Sequence, residues 1–187
     1  MICIGGYGRS GSSFLVQILT HLGFKTGWDK ATVDRTLDHP SRAGLERVEA
    51  SSKNSNIEVF KRPGFFNQCK LNKEEYGDIE FFIIPIRGID NAVKSSLLCN
   101  KLGSGGRGGT HNKTAEENRI EKLFHFGKDV DTCVLYDIPF TFLKYPKYIN
   151  DIEYFYDCLL PILKKRGITF EQVKDTITSL RREPRIC

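Results

Sequence analysis

The residues whose types and spacing can do chemistry come first in the chain: Gly5-Gly6-Tyr7-Gly8-Arg9-Ser10-Gly11-Ser12-Ser13. Glycines let a backbone curl until successive N–H groups converge on one anion. A helix that starts there turns the positive end of its dipole to the same point. Arg9 adds a full positive charge, and Ser10, Ser12 and Ser13 add hydroxyl donors. The apolar run Met1 to Ile4 leads in and the amphipathic run Phe14 to Leu22 leads out, so strand, glycine turn and helix follow one another. Gly6-x4-Gly11-Ser12-Ser13 has the spacing of a Walker A loop, with Ser12 where the lysine would stand. Such a loop grips a phosphate without being built to cleave ATP.

Two further cationic points lie at strand ends. Ile57-Glu58-Val59-Phe60 reads as a short strand running into Lys61-Arg62 and stopped by Pro63-Gly64. Ile79 to Ile86, the most apolar stretch, reads as a strand buried on both faces and ends at Arg87-Gly88. A helix over about Ile89 to Asn100 follows, with Gly88, Asn91 and Ser95 on one face. Arg87 and Ser95 then address a single anion from the same side. In open parallel sheets ligands gather beyond the carboxyl ends of the strands, where all these cations fall.

The elements that must position them are legible in outline. Phe14, Leu15, Ile18, Leu19 and Leu22 form a helical stripe, predicting a helix from about Gly11 to Leu22 with Gly23 as its stop. Residues 25–56 are polar, with a helix over Arg42 to Ala50 and a loop over Ser51 to Asn56. The glycine-rich segment 102–112 reads as a flexible loop able to serve as a lid. A helix is expected over Glu116 to Phe126, and strands over Thr132 to Tyr136 and Phe140 to Leu143. Asn150 with Glu153 suggests a capped helix, kinked at Pro161 and ended by Gly167. Thr169 and Gln172 cap a last helix running to about Arg182. Strands alternating with helices imply a three-layer α/β/α domain around a mostly parallel sheet.

Composition sets the bounds. A chain of 187 residues suits one domain with a full core. Hydrophobic residues at 40% and charged residues at 27% are ordinary for a soluble globular protein. The net charge of +5 suits an anionic ligand and is too diffuse to argue for nucleic acid. No stretch has the apolar length of a membrane span, and the opening strand leaves no place for a signal peptide. The six cysteines show no paired spacing, so free thiols in a reducing cytoplasm are expected and a zinc site is not.

Taken together, the glycine loop and the Arg87-to-Ser95 pair resemble the sulfotransferases that use 3′-phosphoadenosine 5′-phosphosulfate (PAPS). Gly6-Tyr7-Gly8-Arg9-Ser10-Gly11-Ser12-Ser13 looks like that family's loop for the 5′-phosphosulfate. Arg87, with Ser95 eight residues on, has the spacing of its 3′-phosphate grip. Phe142-Leu143-Lys144-Tyr145-Pro146 is similar to a later apolar-aromatic strand segment of the family. The resemblance implies a P-loop NTPase-like fold and sulfuryl transfer to a hydroxyl or amine acceptor, small molecule or carbohydrate, without a metal. It implies that Gly8, Arg9, Ser10, Gly11, Ser12, Ser13, Arg87 and Ser95 hold the donor. It gives Arg9 and Lys61 catalytic parts, Lys61 at the departing bridging oxygen. Where family members place a histidine base after that lysine, this chain has Arg62 and Pro63. Carbohydrate-modifying members draw a carboxylate from the segment after the first helix, which here holds Asp34, Asp38, His39 and Glu46; Asp38 and His39 are the bases the sequence favours.

Other readings share the same residues. Val134-Leu135-Tyr136-Asp137 resembles a Walker B strand and would suit a P-loop kinase of a nucleotide or small molecule. Cys3-x5-Arg9-Ser10 matches the cysteine–arginine loop of protein tyrosine phosphatases, with Cys3 as thiolate nucleophile. A sulfotransferase-like protein without an acceptor site would bind 3′-phosphoadenosine 5′-phosphate and transfer nothing.

Overall fold

Four short strands form the sheet: β1 (Ile2–Ile4), β2 (Val59–Lys61), β3 (Phe81–Ile86) and β4 (Phe140–Lys144). All neighbours run parallel, in the order β2-β1-β3-β4. The computed structural model describes residues 1–39, 44–46, 56–68, 73–101 and 113–180. Strands β1, β2 and β3 are apolar at nearly every position because both faces of a parallel sheet are covered. Successive side chains go to opposite faces. Ile2, Ile4, Val59, Phe81 and Ile83 enter one core, while Cys3, Phe60, Phe82 and Ile84 enter the other.

The first core is covered by α1 (Ser12–His21), α2 (Lys30–Asp38), α6 (Lys147–Asn150), α7 (Ile152–Lys165) and α8 (Phe170–Leu180). The second is covered by the short α3 (Phe65–Gln68) and by α5 (Ala115–Leu135), which also packs against α4 (Ile89–Lys101). This is the expected three-layer α/β/α arrangement around a parallel sheet. No described helix is long and apolar enough to cross a membrane.

Local signals account for most of the ends. Gly23 and Gly167, at φ 88° and 66°, follow α1 and α7 in the left-handed region that glycine tolerates. Thr169 and Gln172 make the expected reciprocal cap, with Gln172 Oε1 accepting from Thr169 N at 2.8 Å and Thr169 Oγ1 from Gln172 N at 3.3 Å.

Several expectations need correction or fall elsewhere. Thr132 to Tyr136 is not a strand: α5 runs through Leu135, and its chain reverses at Asp137, φ 52°. The buried residues Asn118, Lys122, Asp129 and Cys133 follow one another at helical spacing through this stretch. Asn150 is not the cap of α7. Asp151 is, its Oδ1 accepting from Tyr154 N at 2.9 Å, because Asn150 is the last residue of α6. The helix expected over Arg42 to Ala50 falls mostly outside the described residues; the described part, 44–46, is not helical. Segment 102–112, all of the loop over Ser51 to Asn56 except Asn56, and the last helix beyond Leu180 also lie outside them.

Candidate functional site

The glycine loop leaves the carboxyl end of the central strand β1 and enters α1 through Gly11, at φ 96°. A Cβ on Gly11 would stand 2.5 Å from the Tyr145 ring and 2.8 Å from Tyr148 Oη, so the turn leaves no room for a side chain. Tyr148, wholly buried, donates its hydroxyl to Gly11 O at 2.8 Å. Arg9 also takes a positive φ, 71°, one that a side chain adopts only when its surroundings impose it. The first N–H groups of α1 have no intrahelical acceptor and open toward this turn. The loop therefore forms a cradle at a helix N-terminus, the place where an anion would meet unpaired N–H groups.

Three elements close on the cradle. From β3 and α4 come Arg87 and Ser95. Arg9 donates Nε–H to Ser95 Oγ at 3.0 Å, and Arg87 Nη1 lies 3.5 Å from Arg9 O. Tyr7 locks this side, accepting from Arg87 N at 2.9 Å and donating to Arg87 O. The Arg87 guanidinium rests 5.2 Å from the Tyr145 ring centroid. The two elements that the sequence analysis expects to bind anions are thus brought together.

From β2 comes Lys61, 3% exposed. Its ammonium donates to Ser13 Oγ at 2.9 Å, to Gly44 O at 2.5 Å and to Glu46 Oε1 at 2.6 Å. Burial pushes the Lys61 pKa down, against the pull of the Glu46 charge. Burial works to raise Glu46, and the Lys61 ammonium outweighs it, holding the carboxyl below the usual range. Asp38 and His39 are placed differently: Asp38 is the exposed last residue of α2 and His39 caps it. Asp34 accepts from Gln17 Nε2 at 2.6 Å and faces His21 Nε2 at 2.9 Å, on the body of α1.

From α5 come residues that sequence reasoning missed. Lys122, 5% exposed, donates to Gly8 O at 3.0 Å. Desolvation takes its pKa down to about 8, helped by the Arg9 charge and opposed by Glu121. Asp129 is wholly buried and accepts from Gly6 N at 2.7 Å and Phe66 N at 3.1 Å. Desolvation lifts its pKa to about 7, against the backbone N–H groups of Phe66, Gly6 and Phe65. Asn118, Lys122 and Asp129 share one buried face of the helix. Ser10 Oγ and Asn118 Oδ1 are buried and have no hydrogen-bond partner among the described residues.

The rival readings fare unequally. Cys3 is wholly buried in the middle of β1, opposite Phe60 and Phe82, within the apolar core rather than in the loop. Asp137, the acid of the Walker-B-like string, lies in the turn after α5 and not at a strand end. Among the described residues no three of His, Cys, Asp and Glu gather as a metal-holding group. Comparison with known proteins found no matching family model, no similar curated protein and no similar solved structure.

Proposed function

We propose that this chain is a sulfotransferase that takes PAPS as donor and passes its sulfuryl group to a hydroxyl or amine acceptor. The observation that carries the reading is the 3.0 Å contact between Arg9 and Ser95, with Arg87 against Arg9 O. The elements that the family resemblance assigns to the 5′-phosphosulfate and the 3′-phosphate lie side by side. A doubly phosphorylated adenosine is the class of ligand that needs both at once.

In this reading the acceptor oxygen or nitrogen attacks sulfur in line. The new bond to sulfur forms as the sulfur–oxygen bond to the 5′-phosphate breaks. The electron pair leaves with the bridging oxygen, giving 3′-phosphoadenosine 5′-phosphate. Arg9 and the loop N–H groups neutralise the charge that grows on that phosphate. The acceptor's proton passes to a carboxylate. Glu46 is better placed for this part than Asp38 or His39, because it is tied to Ser13 of the loop through Lys61, although the same ammonium makes it a weaker base. Placing the acceptor in line supplies much of the remaining rate.

Thermal unfolding with 3′-phosphoadenosine 5′-phosphate, ADP or ATP with magnesium tests the donor, since a ligand that binds only the native state raises Tm. The bisphosphate is expected to stabilise most. Arg9→Ala and Arg87→Ala are each expected to weaken its binding by about 2–5 kcal/mol. Equal stabilisation by ADP, or undiminished affinity in both variants, contradicts the reading. Release of the bisphosphate from PAPS with hydroxyl or amine acceptors separates an enzyme from a protein that only binds.

A further inference from the structure

Two buried lysines reach the glycine loop, and they differ in what their ammonium groups have left to give. An ammonium carries three donors. Lys61 directs them to Ser13 Oγ, Gly44 O and Glu46 Oε1, so its hydrogen bonds are complete and its charge is balanced by a carboxylate. Lys122 makes one hydrogen bond among the described residues, to Gly8 O at 3.0 Å, and no ion pair among them. A buried cation with two donors to spare is costly unless something completes it. Ser10 Oγ, in the residue after Arg9, is likewise buried without a partner among the described residues. The spare donors of Lys122 point to a group that arrives at the loop from the α5 side, and Ser10 Oγ leaves a second polar atom of the loop to be completed.

We propose that Lys122, and not Lys61, is the ammonium that meets the bound anion. It comes from α5 to do what the missing Walker lysine would do from within the loop. This rests on the loop taking an anion, as the proposed function requires. It changes where that anion sits: between the loop and α5, with Arg9 and Lys122 on either side of it. The ligand class is then a phosphate ester or a phosphate–sulfate anhydride, in which a doubly charged group occupies the cradle. Lys61 becomes a positioning residue, holding Ser13 and Glu46 in place.

The groups that face Lys122 are Arg9 from the loop, Cys99 from α4, and Glu121, His125 and Lys113 from α5 and its approach; His125, whose pKa burial holds below its usual value, stays neutral throughout the alkaline range. With its pKa near 8, Lys122 loses its charge in mildly alkaline buffer, and an anion that depends on that charge leaves with it.

The test is calorimetric or thermal-shift titration of the whole chain at pH 7.5 and pH 9.5. The two probes are inorganic sulfate, whose own charge is constant across that range, and 3′-phosphoadenosine 5′-phosphate. Wild-type affinity for both is expected to fall about tenfold between the two pH values. Lys122→Met is expected to bind about tenfold more weakly at pH 7.5 and to lose the pH dependence. Lys122→Arg, which keeps its charge throughout, is expected to retain binding at both. Cys99→Ser removes the neighbouring thiol as a source of the profile and is expected to leave it unchanged. Lys122→Met should remain folded, since an apolar chain of similar length replaces a buried charge; its unaltered thermal transition without ligand checks this.

If Lys122→Met binds both anions as the wild type does, with the same profile, the inference is wrong and the donor assignment stands. If sulfate binding depends on Lys122 while the bisphosphate does not bind the wild type, the inference holds and the sulfotransferase reading falls. Failure of both anions to bind the wild type removes both.

Discussion

Asp129 is a carboxyl held where water cannot reach it, with its two oxygens on the N–H groups of Gly6 and Phe66. Its folded-state pKa is raised from 3.8 to about 7. An acid raised on folding contributes most at low pH, below its unfolded value. That contribution fades as pH climbs from about 4 to about 7, by something on the order of 4 kcal/mol for three pH units. An asparagine side chain at this position cannot ionise, and its amide would set a donor against one of the two N–H groups, a constant cost of about 1–3 kcal/mol. Urea unfolding at pH 5 and pH 8.5 should therefore favour the wild type over Asp129→Asn far more at pH 5. A stability gap that is equal at both pH values would mean that burial does not raise the Asp129 pKa.

The buried charged groups of the site also differ in how far they could be read in advance. Arg9, Arg87 and Ser95 announce themselves, because each stands at a fixed offset from a glycine turn or a strand end. Lys122 and Asp129 do not. They lie within an ordinary helical stretch, more than a hundred residues from the loop they touch, and no spacing rule connects them to it.

At the scale of elements, α5 explains that blindness. Its buried face carries Asn118, Lys122, Asp129 and Thr132, while Ile120, Leu123, Phe124, Val134 and Leu135 are exposed. Hydrophobic periodicity assumes that the apolar stripe faces inward, which holds for Phe126, Val130 and Cys133 against the second core but not for Ile120, Leu123 and Phe124. Lys122 and Asp129 are inside because the loop and the turn after β2 leave backbone groups there that need partners. The Val134-Leu135 pair also makes the end of α5 look like a strand, since a short apolar run fits both periods. The loop itself is legible, for a steric reason. At Gly11, φ 96° and the Tyr145 and Tyr148 contacts exclude every residue with a Cβ. Gly11→Ala is expected to cost about 2–4 kcal/mol from left-handed backbone strain and overlap together. It should also abolish anion binding in the variant that still folds. Chemical denaturation and titration with sulfate measure the two effects; an alanine variant that is as stable as the wild type would show that the turn can relax.

The whole molecule sets these elements in order. The parallel sheet and its alternating helices follow from apolar runs ending at glycine, proline or a cation, and strand order β2-β1-β3-β4 places the loop between its two flanking strand ends. β2 delivers Lys61 on one side and β3 delivers Arg87 on the other. What strand runs cannot convey is which helix crosses above the loop, since this depends on how long connections fold back.

The sequence distances across the cradle are large. Arg9 meets Ser95 over 86 residues, Lys122 meets Gly8 over 114, and Gly6 meets Asp129 over 123. The ribosome therefore makes the glycine turn long before the helix that completes it. While a nascent chain still lacks α5, the amides of Gly6 and Phe66 have no carboxylate to receive them, and the turn is an unfinished half of its own receptor.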